Sequence, residues 1–162
     1  MGMKPSAFAQ LKANVAKVDV FIGIDPGTNT GLAVWVPSSA RLLRVESMTA
    51  VKAEEYVISM REACRMKGKT MHVIVEDTRN LKLPAHLVQQ RSTMAMKNMG
   101  QVLRDMSRWE EFLQHHSIAF TMAGLSPKPF RIGDAAWFKE HTGWQGRSNE
   151  HGRAAAGLVF GR

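Results

Sequence analysis

Cysteine is nearly missing from this sequence. Cys64 is the single one among 162 residues, so no disulfide can form within the chain. That fits a reducing compartment, and a cytoplasmic protein is expected. Long apolar runs are missing too: no stretch approaches the ~20 residues that a membrane-spanning helix needs. No charged-then-apolar leader with a small-residue cleavage site is found either. No internal repeat and no low-complexity tract occur. Acid is in short supply, with 14 Asp and Glu against 22 Lys and Arg, a net charge of +8 and a pI near 10.1. Such an imbalance calls for a polyanionic partner, nucleic acid or an anionic membrane. The basic residues are spread along the chain, which suits a basic face on a folded domain better than a disordered arm.

What is present suits one domain with an ordinary core. The many methionines, 11 in all, read as flexible core filling. Residues 1–17 show only a weak helical pattern through Phe8, Leu11 and Val15 and are expected to form an arm or short helix outside the domain of residues 18–162. The β-branched run Val18 to Asp25 reads as a central strand, and Pro26 to Gly31 as a turn. Leu32 to Val36 and Arg41 to Met48 follow as strands, making an antiparallel meander. Val51 to Lys67 is expected to be helical, capped by Thr49 and stopped by Gly68. Met71 to Val75 reads as a fourth strand and Ile118 to Met122 as a fifth. Between them a long helix is expected from about Pro84 to His115, burying Met99, Val102, Leu103, Met106 and Leu113. Ile132 to His141 and Asn149 to Phe160 read as the last helices. A meander followed by alternating elements predicts an α/β fold, a mixed five-stranded sheet flanked by helices.

Three features carry chemistry. Asp25 ends an apolar strand at its tip, where packing does not explain a carboxylate, although an isolated Asp there commonly just forms the turn. Glu76 and Asp77 end another strand and point to opposite faces, so only one of them can face Asp25. If the two strands are neighbours, Asp25 and Glu76 repel unless a cation bridges them, and oxygen ligands suit Mg²⁺ or Mn²⁺. The third feature is the run Ser148 to Ala156 opening the last helix, where Glu150 with Ala154 and His151 with Ala154 share a face. Taken singly, His151 would be a surface or capping residue, and Glu150 a favourable charge at a helix start.

Together these segments resemble the RuvC-like Holliday-junction resolvases of the RNase H-like superfamily. Ile22-Gly23-Ile24-Asp25-Pro26-Gly27 with Thr30-Gly31 is similar to their first strand and turn, Val75-Glu76 to their second catalytic strand, and Thr142 through Ala156 to their terminal helix. The resemblance runs in element order from Val18 to the C-terminus. It implies an RNase H-like fold and a homodimer that cuts branched DNA at four-way junctions, leaving a 5′ phosphate. It implies two Mg²⁺ or Mn²⁺ ions per active site, at catalytic positions Asp25, Glu76, His151 and Ala154, the first three being ligands. His151 would shift preference towards Mn²⁺. At position 154 the family pattern calls for Asp, and Ala stands there. A single Asp→Ala replacement, a natural binding-only variant, or substitution by Glu150 would each account for it. The first is favoured because every other motif residue is intact, and it implies a cleavage-deficient chain.

Phosphate contacts are expected from Arg79, Lys82 and Arg91 after the second acidic strand, from Lys128 and Arg131 in the later loop, and from Arg147 and Arg153 beside the site, Arg153 foremost. The long helix around Met99 to Leu113 is the expected dimer surface. Three other functions fit parts of the pattern. One is a non-cleaving junction-binding protein. Another is an RNase H-like nuclease for forks, flaps or RNA. The third is an actin-like sugar kinase, whose first phosphate loop resembles Asp25 to Gly31 but whose second lobe this length does not accommodate.

Overall fold

The computed structural model describes residues 17–79, 93–124 and 130–162, with side chains of the long helix described from Lys97. Lys82, Arg91 and Lys128 lie outside these residues, as do the N-terminal arm before Lys17 and the first expected turns of the long helix. Five strands form one sheet: β1 Val20–Asp25, β2 Thr30–Val36, β3 Arg41–Met48, β4 Met71–Glu76 and β5 Phe120–Ala123. Their order is β3-β2-β1-β4-β5. The first three pair antiparallel, while β1 with β4 and β4 with β5 run parallel. The expected mixed sheet is therefore found, meander first and crossovers after.

Among the described residues the α-helices are α1 Ala50–Met66, α2 Thr93–His115, α3 Ala135–Thr142 and α4 Glu150–Val159. Thr49 accepts a hydrogen bond from the Lys52 amide at the start of α1, as expected of a capping threonine. The third helix starts later than its sequence suggests. Asp134 accepts from the Trp137 amide and fixes the start there, leaving Ile132 and Gly133 in the preceding turn. Gly143 ends α3 in the left-handed conformation (φ 72°), its amide donating to the Lys139 carbonyl, where a side chain would be strained.

Alternation along the strands divides the core into two halves. Ile22, Ile24, Val73 and Val75 face Val57 and Cys64 of α1 and Trp109 and Leu113 of α2. Ala33, Trp35, Val45 and Ile74 face Phe138 of α3 and Ala155, Ala156 and Val159 of α4. The second half is closed by unusually intimate packing. A Cβ on Gly23 would stand 2.1 Å from the Ala155 carbonyl oxygen, and one on Gly31 would stand 2.0 Å from that of His151. From the helix side, a Cβ on Gly152 would press on the Glu46 backbone at 3.0 Å. Glycines on β1, β2 and α4 thus let the last helix lie directly on the sheet.

The buried stripe of α2 differs from expectation. Met106, Trp109 and Leu113 are buried, whereas Val102 and Leu103 are more than a third exposed. The helix packs through its C-terminal half, where the spacing of three and four residues repeats, and its earlier part presents apolar side chains to solvent.

Candidate active site

Strand parity decides which acids meet. Asp25 shares its face with Phe21 and Gly23, and Glu76 shares its face with Ile74; both faces look towards α4. The parallel register sets Ile24 opposite Val75, so the two carboxylates follow side by side at the strand ends. Asp77 has the other parity and turns towards α2. There it accepts from Arg79 Nη2 at 2.8 Å and Nε at 2.9 Å, while Arg79 Nη1 reaches Glu110 at 2.6 Å. Asp77 therefore stays out of the pair, and its carboxyl is held below the usual range by these Arg79 hydrogen bonds.

Burial pushes the Glu76 carboxyl up to about 7, helped by its hydrogen-bonding contact with Asp25 and by that residue's charge. Two acids are thus confined where both cannot easily be ionised. From the other side comes His151, on the first turn of α4. Its Nδ1 lies 3.0 Å from Asp25 Oδ2, with the imidazole half exposed and the Asp25 side chain largely buried. The position of His151 follows from its neighbours. Asn149 caps α4 by accepting from the Gly152 amide at 2.9 Å, and its side-chain amide donates to Ser47 of β3. Gly31, directly opposite Asp25 in the register, admits the His151 backbone. The turn between β1 and β2 is held by Thr30, which donates to the Gly27 carbonyl at 2.9 Å. It is also tied to α2 by Gln101, which donates to Thr28 at 2.9 Å, a link that sequence spacing gave no sign of.

The expected site residues are therefore brought together pairwise around Asp25. Ala154 lies three residues after His151 on the same side of α4, half-buried, and offers no donor atom. Glu150 is exposed and opens α4 one residue before His151. Among the described residues no group of three or more His, Cys, Asp or Glu side chains is close enough to hold a metal ion. Two carboxylates and an imidazole fit the donor chemistry of a divalent cation.

Two of the expected phosphate contacts are engaged within the protein. Arg153 is only 5% exposed. Its guanidinium donates to the Ile132 carbonyl and, from Nη1, to the Ser148 carbonyl at 2.9 Å and hydroxyl at 3.0 Å. It braces two loops, and the two carbonyls with the Ser148 hydroxyl satisfy a charge buried at that depth. Arg79 is neutralised by Asp77 and Glu110 and is no free cation. Arg131 and Arg147 are exposed, Arg131 lying over the Trp137 ring at 5.6 Å. Replacing Arg153 by Met should cost on the order of 3 kcal/mol, since it strands two carbonyls and a hydroxyl. Urea denaturation is the check, with no change in stability the contrary result.

Glu76 also sets a pH dependence. Its folded pKa is raised from 4.5, so the folded state holds the proton more tightly than the unfolded one. Stability from this group is complete below the unfolded value and is lost as pH rises towards about 7. Without divalent ions, Tm should fall between about pH 5 and pH 8, and Glu76→Gln should flatten that fall. An unchanged slope in the Gln variant would contradict the assignment.

With the geometry in hand, the fold class can be stated: a mixed α/β sheet of the RNase H-like, RuvC-like type. A solved structure, "T. thermophilus RuvC in complex with Holliday junction substrate", aligns with a TM-score of 0.50 at 19% identity, covering 87% of this chain and 90% of that one. No protein-family model matches the chain, and no curated protein matches it.

Proposed function

We propose that the chain is a nuclease of the junction-resolving kind, directed at branched DNA and lacking one of its metal-binding acids at Ala154. One observation carries the reading: Asp25 and Glu76 are forced together at parallel strand ends, on the face to which α4 brings His151. Such a pair is costly unless it serves to hold charge of opposite sign. The fold likeness to a RuvC solved with a Holliday junction supports it, as does the net charge of +8.

Asp25, Glu76 and His151 would hold Mg²⁺ or Mn²⁺, two ions in the complete site. Such ions acidify the attacking water and neutralise charge on the scissile phosphate and its leaving oxygen. The chain's own part is to position them. Strand ends fix the carboxylates, and the glycine-mediated contact of α4 with the sheet fixes the imidazole. Half-burial of Glu76 keeps its proton near neutral pH, and a bound cation would favour the ionised carboxylate. Paired cuts across a junction need two copies, and exposed Val102 and Leu103 on α2 supply apolar surface for a homodimer. Action in a reducing cytoplasm agrees with the lone cysteine. Among the described residues no helix is long and apolar enough to cross a membrane.

The test is binding in EDTA to a four-way junction and to a linear duplex of the same arm sequences, followed by gel shift. Tighter binding of the junction is expected. Equal affinity for both would remove the branched-DNA claim, and no binding to either would remove the whole reading.

A further inference from the structure

A cleft between α3 and the loop entering α4, whose edge at Ser148 is three residues from His151, has no role in the candidate site. It has a volume of about 420 Å³ and is lined by Ala135, Phe138 and Lys139 of α3 and by Trp144, Arg147 and Ser148 of the loop entering α4. Lys139 and Arg147 are both exposed, and neither side chain forms an ion pair among the described residues. The two cations thus face one cavity with no acid lining it. Its wall is built, not loose. Trp144 donates from Nε1 to the Arg147 carbonyl at 3.2 Å, and Gly146 fits against the indole so closely that a Cβ there would stand 2.9 Å from the ring. Ser148, at the cleft's edge, is clamped through its carbonyl and hydroxyl by the buried Arg153. One residue beyond Ser148 is the cap of the helix that carries His151.

We propose that this cleft is a phosphate subsite for the DNA strand flanking the one at Asp25 and Glu76, with Lys139 and Arg147 each neutralising a backbone phosphate. The inference rests on the DNA-directed reading above and adds which surface carries the strand onward. It also gives Arg153 its purpose: the residue shapes the wall from which Arg147 projects, instead of touching DNA itself. Lys139 and Arg147 are flexible, strongly hydrated or forked cations, suited to positioning a backbone without reading bases.

The test uses the full chain in EDTA with a fluorescently labelled four-way junction, titrated at several salt concentrations. Lys139→Ala/Arg147→Ala is compared with Lys67→Ala/Lys69→Ala, which removes the same charge beside the start of β4, the opposite end of that strand from Glu76. All four side chains are exposed, so both variants should fold. The cleft variant should bind about tenfold more weakly at moderate salt, with the slope of log affinity against log salt reduced by about 2. The control should keep nearly the parent slope. If the parent binds and both variants lose affinity equally, or the cleft variant loses none, the subsite is overturned while the DNA-directed reading stands. If the parent binds no DNA, both are overturned.

Discussion

Ala154→Asp should switch on divalent-cation-dependent cleavage of four-way junctions, raising the rate by roughly 10²–10³-fold or more over the chain as it stands, the scale seen when one electrostatic stabiliser is restored at a reacting centre. Position 154 shares a helix side with His151, whose ring already touches Asp25. A carboxylate there would supply the further acid that the proposed function calls for. The same change carries a signature independent of activity. In EDTA a third acid near Asp25 and Glu76 adds repulsion, so the variant should be less stable than the parent. Mg²⁺ or Mn²⁺ should then raise its Tm by more than it raises the parent's. Junction nicking assays with each metal, beside forks, flaps, linear duplex and RNA, give the substrate preference in the same experiment. A second reading, a protein that binds junctions and never cuts them, is favoured by Ala154. It gains if the Asp variant folds, is stabilised by metal, and leaves every substrate intact.

Gly31→Ala should be among the most damaging single methyls in the described residues. Its Cβ would stand 2.0 Å from the His151 carbonyl oxygen and 2.4 Å from the carbonyl carbon. Both are backbone atoms of a helix packed on the sheet, so no side-chain rotation relieves the clash, and α4 must move. Overpacking of this kind costs about 3 kcal/mol, at the upper end of the usual range. For a domain of this size each kcal/mol lowers Tm by roughly 2–4 °C. Because the atom struck belongs to His151, any Ala154→Asp activity should fall with it. Gly133→Ala is the control, since a Cβ there meets nothing within 4 Å. Equal Tm values for the two variants would show that α4 does not rest on β2 as described.

The strands and the separate parities of Glu76 and Asp77 were legible because strand periodicity is local; the sheet order, which makes β1 and β4 neighbours, was not. Counting by twos from Ile22 and Val73 puts Asp25 and Glu76 on one face and Asp77 on the other, and parallel pairing of β1 with β4 makes them neighbours. The arginines were not legible, because some of their partners lie far away in sequence. Arg79 meets Glu110 across 31 residues, and Arg153 meets the Ile132 carbonyl across 21. Composition marks such residues as cations but says nothing of carbonyls waiting to receive them. The long helix was read with its stripe too near its N-terminal side. Trp109 bridges Met106 and Leu113 in the buried face at spacings of three and four, a pattern present in the sequence but masked by the more conspicuous Val102 and Leu103. Gly31 was legible only as turn chemistry and Gly23 only as part of a strand; their use as landing points for α4 needs the third dimension.

The most direct measurement follows the Glu76 carboxyl by carbon-detected NMR through a pH titration of the chain, with EDTA and then with saturating Mg²⁺. In EDTA the midpoint should lie near 7, where burial and Asp25 hold it. With Mg²⁺ it should fall well below that, because a bound divalent cation would favour the ionised carboxylate. A midpoint that Mg²⁺ leaves unmoved would mean that these carboxylates do not hold a divalent cation.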